Sequence, residues 1–176
     1  MVEITYQMVL STLQTAGILV GIVYYFTIMR NQQRTRELTL KAQELTLETR
    51  QAQLFTQLMD KYTTKEGLEN QRVVRGATWS SYEEWLELRR DEKYYEAYLW
   101  LANIYDGMGA LVREDLLNVR MVALVGATYI IDDWEKYEDV IYEMRKRRND
   151  RRFRGKWEYL YITIMKYLEE HPELVP

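Results

Sequence analysis

Apolar and polar positions separate along this chain more sharply than its averages suggest. No charged side chain occurs from Ile4 to Met29, and the 22 residues from Met8 to Met29 are interrupted only by hydroxyl and amide groups. As an α-helix that stretch spans about 33 Å at ~1.5 Å per residue, against a bilayer core of ~30 Å, which predicts a single-pass transmembrane anchor. A cleaved signal peptide is the competing reading, but such peptides open on a basic segment, and no Lys or Arg precedes Arg30. A buried core helix is a third reading, and a charge-free run of this length beginning almost at the first residue argues against it. Arg30, Arg34, Arg36 and Lys41 follow the run, whereas only Glu3 precedes it. This asymmetry predicts a body in the cytoplasm and a short N-terminus outside the cell membrane. Inside the run, Gly17 and Gly21 share a helix face at the spacing that lets two backbones approach in lipid. They are candidates for self-association.

Residues 30–61 contain no Gly or Pro, so the anchor helix is expected to continue as a stalk until about Tyr62 to Thr64. The chain repeats itself there, Glu37-Leu38-Thr39-Leu40-Lys41-Ala42-Gln43 being followed by Glu44-Leu45-Thr46-Leu47-Glu48-Thr49. Such a seven-residue period indicates helix packing along one seam, here Leu38, Ala42, Leu45, Thr49, Ala52, Thr56 and Met59. Leu38 and Leu45 are the seam's candidate self-association residues; its threonines make an autonomous coiled coil doubtful. A second stripe, Leu40, Leu47, Leu54 and Leu58, lies nearly opposite. A helix apolar on two sides is usually sandwiched. Its covers are either the body's own helices or, on one side, a second copy or another protein.

The remainder reads as a helical bundle. Thr63-Thr64 caps a helix to about Arg75, ended by Gly76, and Ser80 to Glu84 offers a reciprocal cap for the next. Tyr94, Tyr98, Leu101, Tyr105, Met108 and Val112 recur at helical spacing, with Gly107 and Gly109 expected to loosen the last turn before Arg113. Asn118 caps a helix whose first part, Val119 to Ile131, is apolar nearly all round. That part is too short and too interrupted by Arg120 to be a second span, and is expected to be the central helix. Trp134, Tyr137, Val140, Ile141 and Met144 continue it. Trp157, Leu160, Tyr161, Ile164, Met165 and Leu168 mark a last helix before His171-Pro172. No segment alternates as a strand would. The fold class expected is all-α: residues 1–29 a short outer N-terminus and anchor, 30–62 a stalk, and 63–176 a cytoplasmic helical bundle.

Composition changes this picture chiefly by exclusion. The net charge of −3 conceals a body, residues 30–176, in which about a third of the side chains are charged. The absence of cysteine removes disulfides and thiolate chemistry, and a lone His171 leaves no ordinary zinc site and no carboxylate–histidine di-iron bundle. Nucleophile and phosphate-cradling motifs are missing, and Gly107-x-Gly109 lacks the third glycine of a dinucleotide turn. No cofactor and no metal are therefore expected. Asp132, Glu135 and Asp139 share a helix face that can be drawn around a hard cation, but a solvated face pairing with Lys136 and Arg147 is the stronger reading. His171 is expected to be exposed and inert. Fifteen tyrosines and five tryptophans lie mostly on the apolar stripes, which favours core packing over a stacking platform.

One cluster stands out as a binding candidate: Arg145, Lys146, Arg147, Arg148, Arg151, Arg152, Arg154 and Lys156, with Asp150 as the single acid among them. Eight bases in twelve residues attract a polyanion. Anionic headgroups come first for a tethered body, with an acidic protein surface as another reading. Nucleic acid is weaker, because the whole protein is acidic and no reader fold is visible. The competing structural reading pairs these bases with Glu83, Glu84 and Glu87.

The order of motifs resembles a widespread prokaryotic family of uncharacterised single-pass membrane-anchored helical proteins, a domain of unknown function. The resemblance is carried by the anchor followed by the Glu-Leu-Thr-Leu repeats, Gln51-Ala52-Gln53-Leu54-Phe55, Tyr105-Asp106-Gly107-Met108-Gly109, Asp133-Trp134-Glu135-Lys136-Tyr137 and Trp157-Glu158-Tyr159-Leu160. It implies an anchor and a helical body and supplies no activity. The expectation is a non-enzymatic adaptor or assembly protein whose partners are the membrane, possible further copies and a protein along the stalk. An enzyme or effector with an unrecognised site, or a tethered nucleic-acid binder, is the alternative.

Overall fold

Helix formation follows the absence of breakers and the placement of caps. The computed structural model describes residues 6–174 and contains six α-helices: α1 (Tyr6–Thr63), α2 (Lys65–Gly76), α3 (Tyr82–Leu88), α4 (Glu92–Arg113), α5 (Val119–Arg148) and α6 (Gly155–Glu170). A 3-10 turn, Pro172–Leu174, follows, and no strand occurs among the described residues. Glu3 and the outer segment expected around it lie outside the described residues. The fold class read from the sequence, one long N-terminal helix followed by a helical bundle, is the observed one. The chain divides into two compact units after Glu48.

In the first unit, α1 carries one window long and apolar enough to cross a membrane, and none of that window is buried within the fold. Serine and threonine hydroxyls along it bond to its own backbone. Ser11 and Thr12 donate to the Met8 carbonyl, Thr15 to Ser11 and Thr27 to Val23, at 2.8–3.1 Å. Thr39 and Thr46 donate in the same way to Thr35 and Ala42. A hydroxyl folded onto the preceding turn leaves no polar group that needs water or a partner, so these residues do not interrupt an apolar helix. Leu38, Leu40, Leu45 and Leu47 are all exposed, so both leucine stripes face outward over residues 38–47.

The second unit begins on the last turns of α1, where Phe55, Leu58 and Met59 pack against a core built around α4. Tyr94, Tyr98, Leu101, Tyr105, Met108 and Val112, the predicted stripe, are all buried. The central helix is thus α4 and not the start of α5, whose Leu124, Val125 and Tyr129 are exposed. Beyond Ile130, α5 does enter the core. The aromatic residues interlock there. Trp85 meets Tyr98 edge-on at 5.6 Å, and Trp134 meets Trp157 in the same way at 5.6 Å. Edge-to-face pairs add about 0.5–1.5 kcal/mol each beyond their buried area.

Caps appear where the sequence places them. Thr64 accepts from the Gly67 amide at 2.9 Å, Ser81 from Glu84 at 3.2 Å, and Asn118 from Arg120 at 2.8 Å. The Glu84 carboxylate in turn accepts from the Ser80 amide. Gly109 departs from expectation. It does not loosen α4, which continues to Arg113; a Cβ there would overlap the Lys156 carbonyl, so the missing side chain is what lets the start of α6 lie against α4.

Candidate functional site

The expected basic cluster separates into two groups. Arg154 is buried, with its backbone in the left-handed region at φ 55°, and donates to Asp106 and Asn103 at 2.8 Å each. The other oxygen of Asp106 accepts from the Trp157 amide at 3.0 Å, so one carboxylate both caps the first turn of α6 and anchors Arg154. Arg145 is nearly buried, donates to the Phe153 carbonyl at 2.8 Å and forms an ion pair with Glu158 at 2.8 Å. Arg147 pairs with Glu143 and Glu83 and lies over the Tyr82 ring. Arg145 thus ties α5 to α6, Arg147 ties α5 to α3, and Arg154 ties the start of α6 to α4. The other five, Lys146, Arg148, Arg151, Arg152 and Lys156, face solvent. Of the predicted acidic partners only Glu83 is used; Glu84 caps α3, and Glu87 pairs with Arg90.

The other sequence candidates fall as follows. A Cβ added at Gly17 or Gly21 meets nothing within 4 Å, so that helix face is open, and Leu38 and Leu45 are exposed. Asp132, Glu135 and Asp139 are exposed on α5. Arg147 pairs with Glu143, further along the helix, and Lys136 does not pair with its own helix. It reaches α2 and donates to the carbonyls of Val74, Arg75 and Ala77 at 3.0, 2.9 and 2.7 Å. An ammonium at a helix C-terminus satisfies carbonyls that have no partner in the helix, and Lys136 does so for α2. Burial lowers the Lys136 pKa despite the nearby Asp133. His171 is half-buried and stacks on Tyr167 at 4.1 Å, where an exposed side chain was expected.

The arrangement that sequence reasoning missed lies between α1, α2, α4 and α5. Asp133, 2% exposed, receives Arg75 Nε at 3.2 Å, Arg75 Nη2 at 2.9 Å and the Tyr105 hydroxyl at 2.8 Å. Arg75 also donates to the Tyr62 hydroxyl at 2.8 Å and to Gln71 Oε1 at 3.2 Å, while Gln71 donates to the Tyr62 carbonyl at 2.8 Å. The Tyr62 and Tyr105 hydroxyls are 3.1 Å apart. Since Tyr105 gives its proton to Asp133, Tyr62 is the donor between them. Burial works against the Arg75 charge, but the Asp133 carboxylate outweighs it, and the Arg75 pKa is raised. Burial, reinforced by Asp133, pushes the Tyr105 hydroxyl well up, and burial also raises Tyr62. The signal was in the sequence: Asp133 stands three residues after Ile130 and four before Tyr137, an acid on the core stripe.

Beside this network is a cavity of about 280 Å³, floored by Phe55, Met59, Met108, Val122 and Ile130, with Tyr62, Gln71 and Tyr105 at its polar side. Tyr62, Gln71 and Tyr105 hydrogen-bond within the network, and most of the wall presented to the cavity is apolar. No charge is free there to act as a general acid, a base or a nucleophile.

The family described as Domain of unknown function (DUF4760) matches residues 11–163. The chain belongs to this family. Neither the curated proteins nor the solved structures contain a match. The family's match covers most of α1 and all of the network, and the residues that carried the resemblance have packing tasks. Tyr105 bonds Asp133, Asp106 caps α6, and Gly109 admits the α6 backbone.

Proposed function

We propose that the chain is a single-pass membrane-anchored adaptor or assembly protein with its helical bundle in the cytoplasm, self-associating through α1 and using its solvent-facing bases on an anionic surface. The observation that carries this reading is the exposure of Ile18, Leu19, Val20, Val23, Tyr24, Tyr25 and Phe26, a charge-free helical stretch that the fold leaves uncovered on all sides. A core helix is buried by its own protein; this one needs hydrocarbon around it. Arg30, Arg34, Arg36 and Lys41 on its C-terminal flank favour the inward orientation. The open Gly17–Gly21 face and the leucines of residues 38–47 favour association between copies, and Lys146, Arg148, Arg151, Arg152 and Lys156 favour an anionic partner. A closed polar network with no free acid, base or nucleophile favours interaction over catalysis.

Because the chain has no cysteine, a single introduced thiol is the sole labelling site on it. Gln7→Cys in intact cells is expected to react with a membrane-impermeant maleimide, and Glu169→Cys only after permeabilisation. The reverse pattern would overturn the orientation. Release of the chain from membranes by alkaline carbonate would overturn the anchor itself.

A further inference from the structure

We propose that the cavity between the end of α1 and helices α2, α4 and α5 is a binding site for an uncharged hydrocarbon group, a fused two-ring aromatic or a short alkyl chain. Its size sets the bulk of the ligand. An apolar cavity of ~150 Å³ holds benzene, and this one, at about 280 Å³, admits nearly twice that. Its chemistry sets the class. An anion would need Arg75, but Nε already donates to Asp133, Nη1 to Gln71 and Nη2 to both Tyr62 and Asp133. A cation would need Asp133, which is taken by Arg75 and Tyr105 and lies behind the tyrosines. The hydroxyl of Thr63, also in the wall, is turned back to the Met59 carbonyl at 2.8 Å. What remains is dispersion contact and the exclusion of water, which suit hydrocarbon alone.

The mouth supports the same assignment. Leu68, Val125 and Tyr129 stand around it 44%, 53% and 50% exposed, large apolar side chains that the bundle leaves in water. The Arg75 guanidinium lies 4.3 Å from the centre of the Tyr129 ring and holds that ring in place. A ligand seated in the cavity covers this rim as well as the floor, and burial of both drives binding. Gly126, in the wall, has room for a side chain to begin, since a Cβ there would meet only Ile130 Cδ1, in ordinary contact at 3.6 Å.

The test uses the full chain in lipid nanodiscs with isotope-labelled methionine methyls. Met59 and Met108 line the cavity, while Met144 and Met165 lie elsewhere in the bundle and report the intact fold and any non-specific partitioning. Naphthalene and decan-1-ol are titrated separately. Saturable shifts confined to Met59 and Met108 are expected with at least one probe, naphthalene alone assigning a rigid aromatic and decanol alone an alkyl chain. Gly126→Leu, which fills the cavity, and Val125→Trp, which closes the mouth, should each weaken that binding about tenfold or more. The proposal is overturned if neither probe saturates, if Met59 and Met108 shift only in step with Met144 and Met165, or if binding persists unweakened in both variants with the bundle spectrum intact. None of these outcomes depends on how α1 is oriented, so failure here leaves the anchor reading standing.

Discussion

Ile18, Leu19 and Val20 in the first unit and Ile141, Leu160 and Ile164 in the second are side chains of the same kind, yet the first three expose 63%, 58% and 70% of their surface and the last three none. Their polar neighbours differ in the same sense. In the first unit hydroxyls bond to the preceding turn, three or four residues away. In the second, Arg75 reaches Asp133 across 58 residues, Lys136 reaches Val74 across 62, and Arg154 reaches Asp106 across 48. One region is complete as secondary structure and is left uncovered by the fold; the other supplies its own cover and is held by long-range contacts. Anything that strikes tertiary contacts should therefore melt the bundle and spare the helix of residues 6–48.

Alkali is the most drastic way to separate them. Burial raises the pKa of Tyr62, Tyr94, Tyr98, Tyr105 and Tyr137, with Tyr98 pushed up to about 12. A folded pKa above the unfolded value of about 10 means that the folded state keeps its proton while the unfolded state loses it. The stabilisation is complete below pH 10 and disappears as pH rises through the folded values. The bundle is expected to unfold cooperatively above about pH 10, seen as tyrosinate absorbance appearing together with loss of tryptophan near-UV dichroism. A gradual rise in tyrosinate with the dichroism intact would show that these hydroxyls are not held by the core.

Asp133→Ala comes next. It leaves Arg75 without its counter-charge in a half-buried site, and removing one member of a buried pair costs about 3–5 kcal/mol. Urea unfolding of the detergent-solubilised chain should show this loss in the bundle, with little change in the helical signal of the first unit. Arg75→Met combined with Asp133→Leu should recover most of it, because no stranded charge remains. Gly109→Ala is smaller. Helix propensity alone favours alanine by ~1 kcal/mol, but overlap with the Lys156 carbonyl forces α6 away from α4, so a net loss of about 1–3 kcal/mol is expected. A stabilised variant would mean that the α4–α6 approach yields without strain.

What could be read beforehand follows the same division. Local signals, such as a charge-free run, an Asn118 or Ser81 cap and the Tyr94 to Val112 stripe, gave the helices and their buried faces, because each depends on residues within a few turns. Long-range partners left weaker traces. Arg75 and Lys136 look like ordinary helix-surface charges until the fold brings α2 against α5. Arg154 sits among seven other bases and differs from them only through its backbone conformation and Asp106, 48 residues away. The start of α5 was misplaced because an all-round apolar helix reads as central, whereas here one side lines a cavity and another stays exposed. Asp133 alone left a local trace, by standing on a core stripe, and that trace went unread.

The smallest expected effect on stability gives the sharpest division within the basic corner. Arg148, Arg151 and Arg152 are exposed and, apart from the contact of Arg148 with the Phe153 ring, hold nothing in place, whereas Arg154 closes the α4–α6 contact. Replacing the three exposed arginines by glutamine should change bundle stability by less than ~0.5 kcal/mol, as surface substitutions do, while Arg154→Gln alone strands Asp106 and costs more. Function should invert that order. If the exposed bases meet anionic headgroups, hydrogen exchange across residues 146–156 of the full chain slows in nanodiscs containing phosphatidylserine relative to zwitterionic ones. Salt should reverse the slowing, since exposed charges are screened within ~10 Å at moderate ionic strength, and the triple variant should abolish it. Equal exchange in the two lipids would detach these arginines from the membrane.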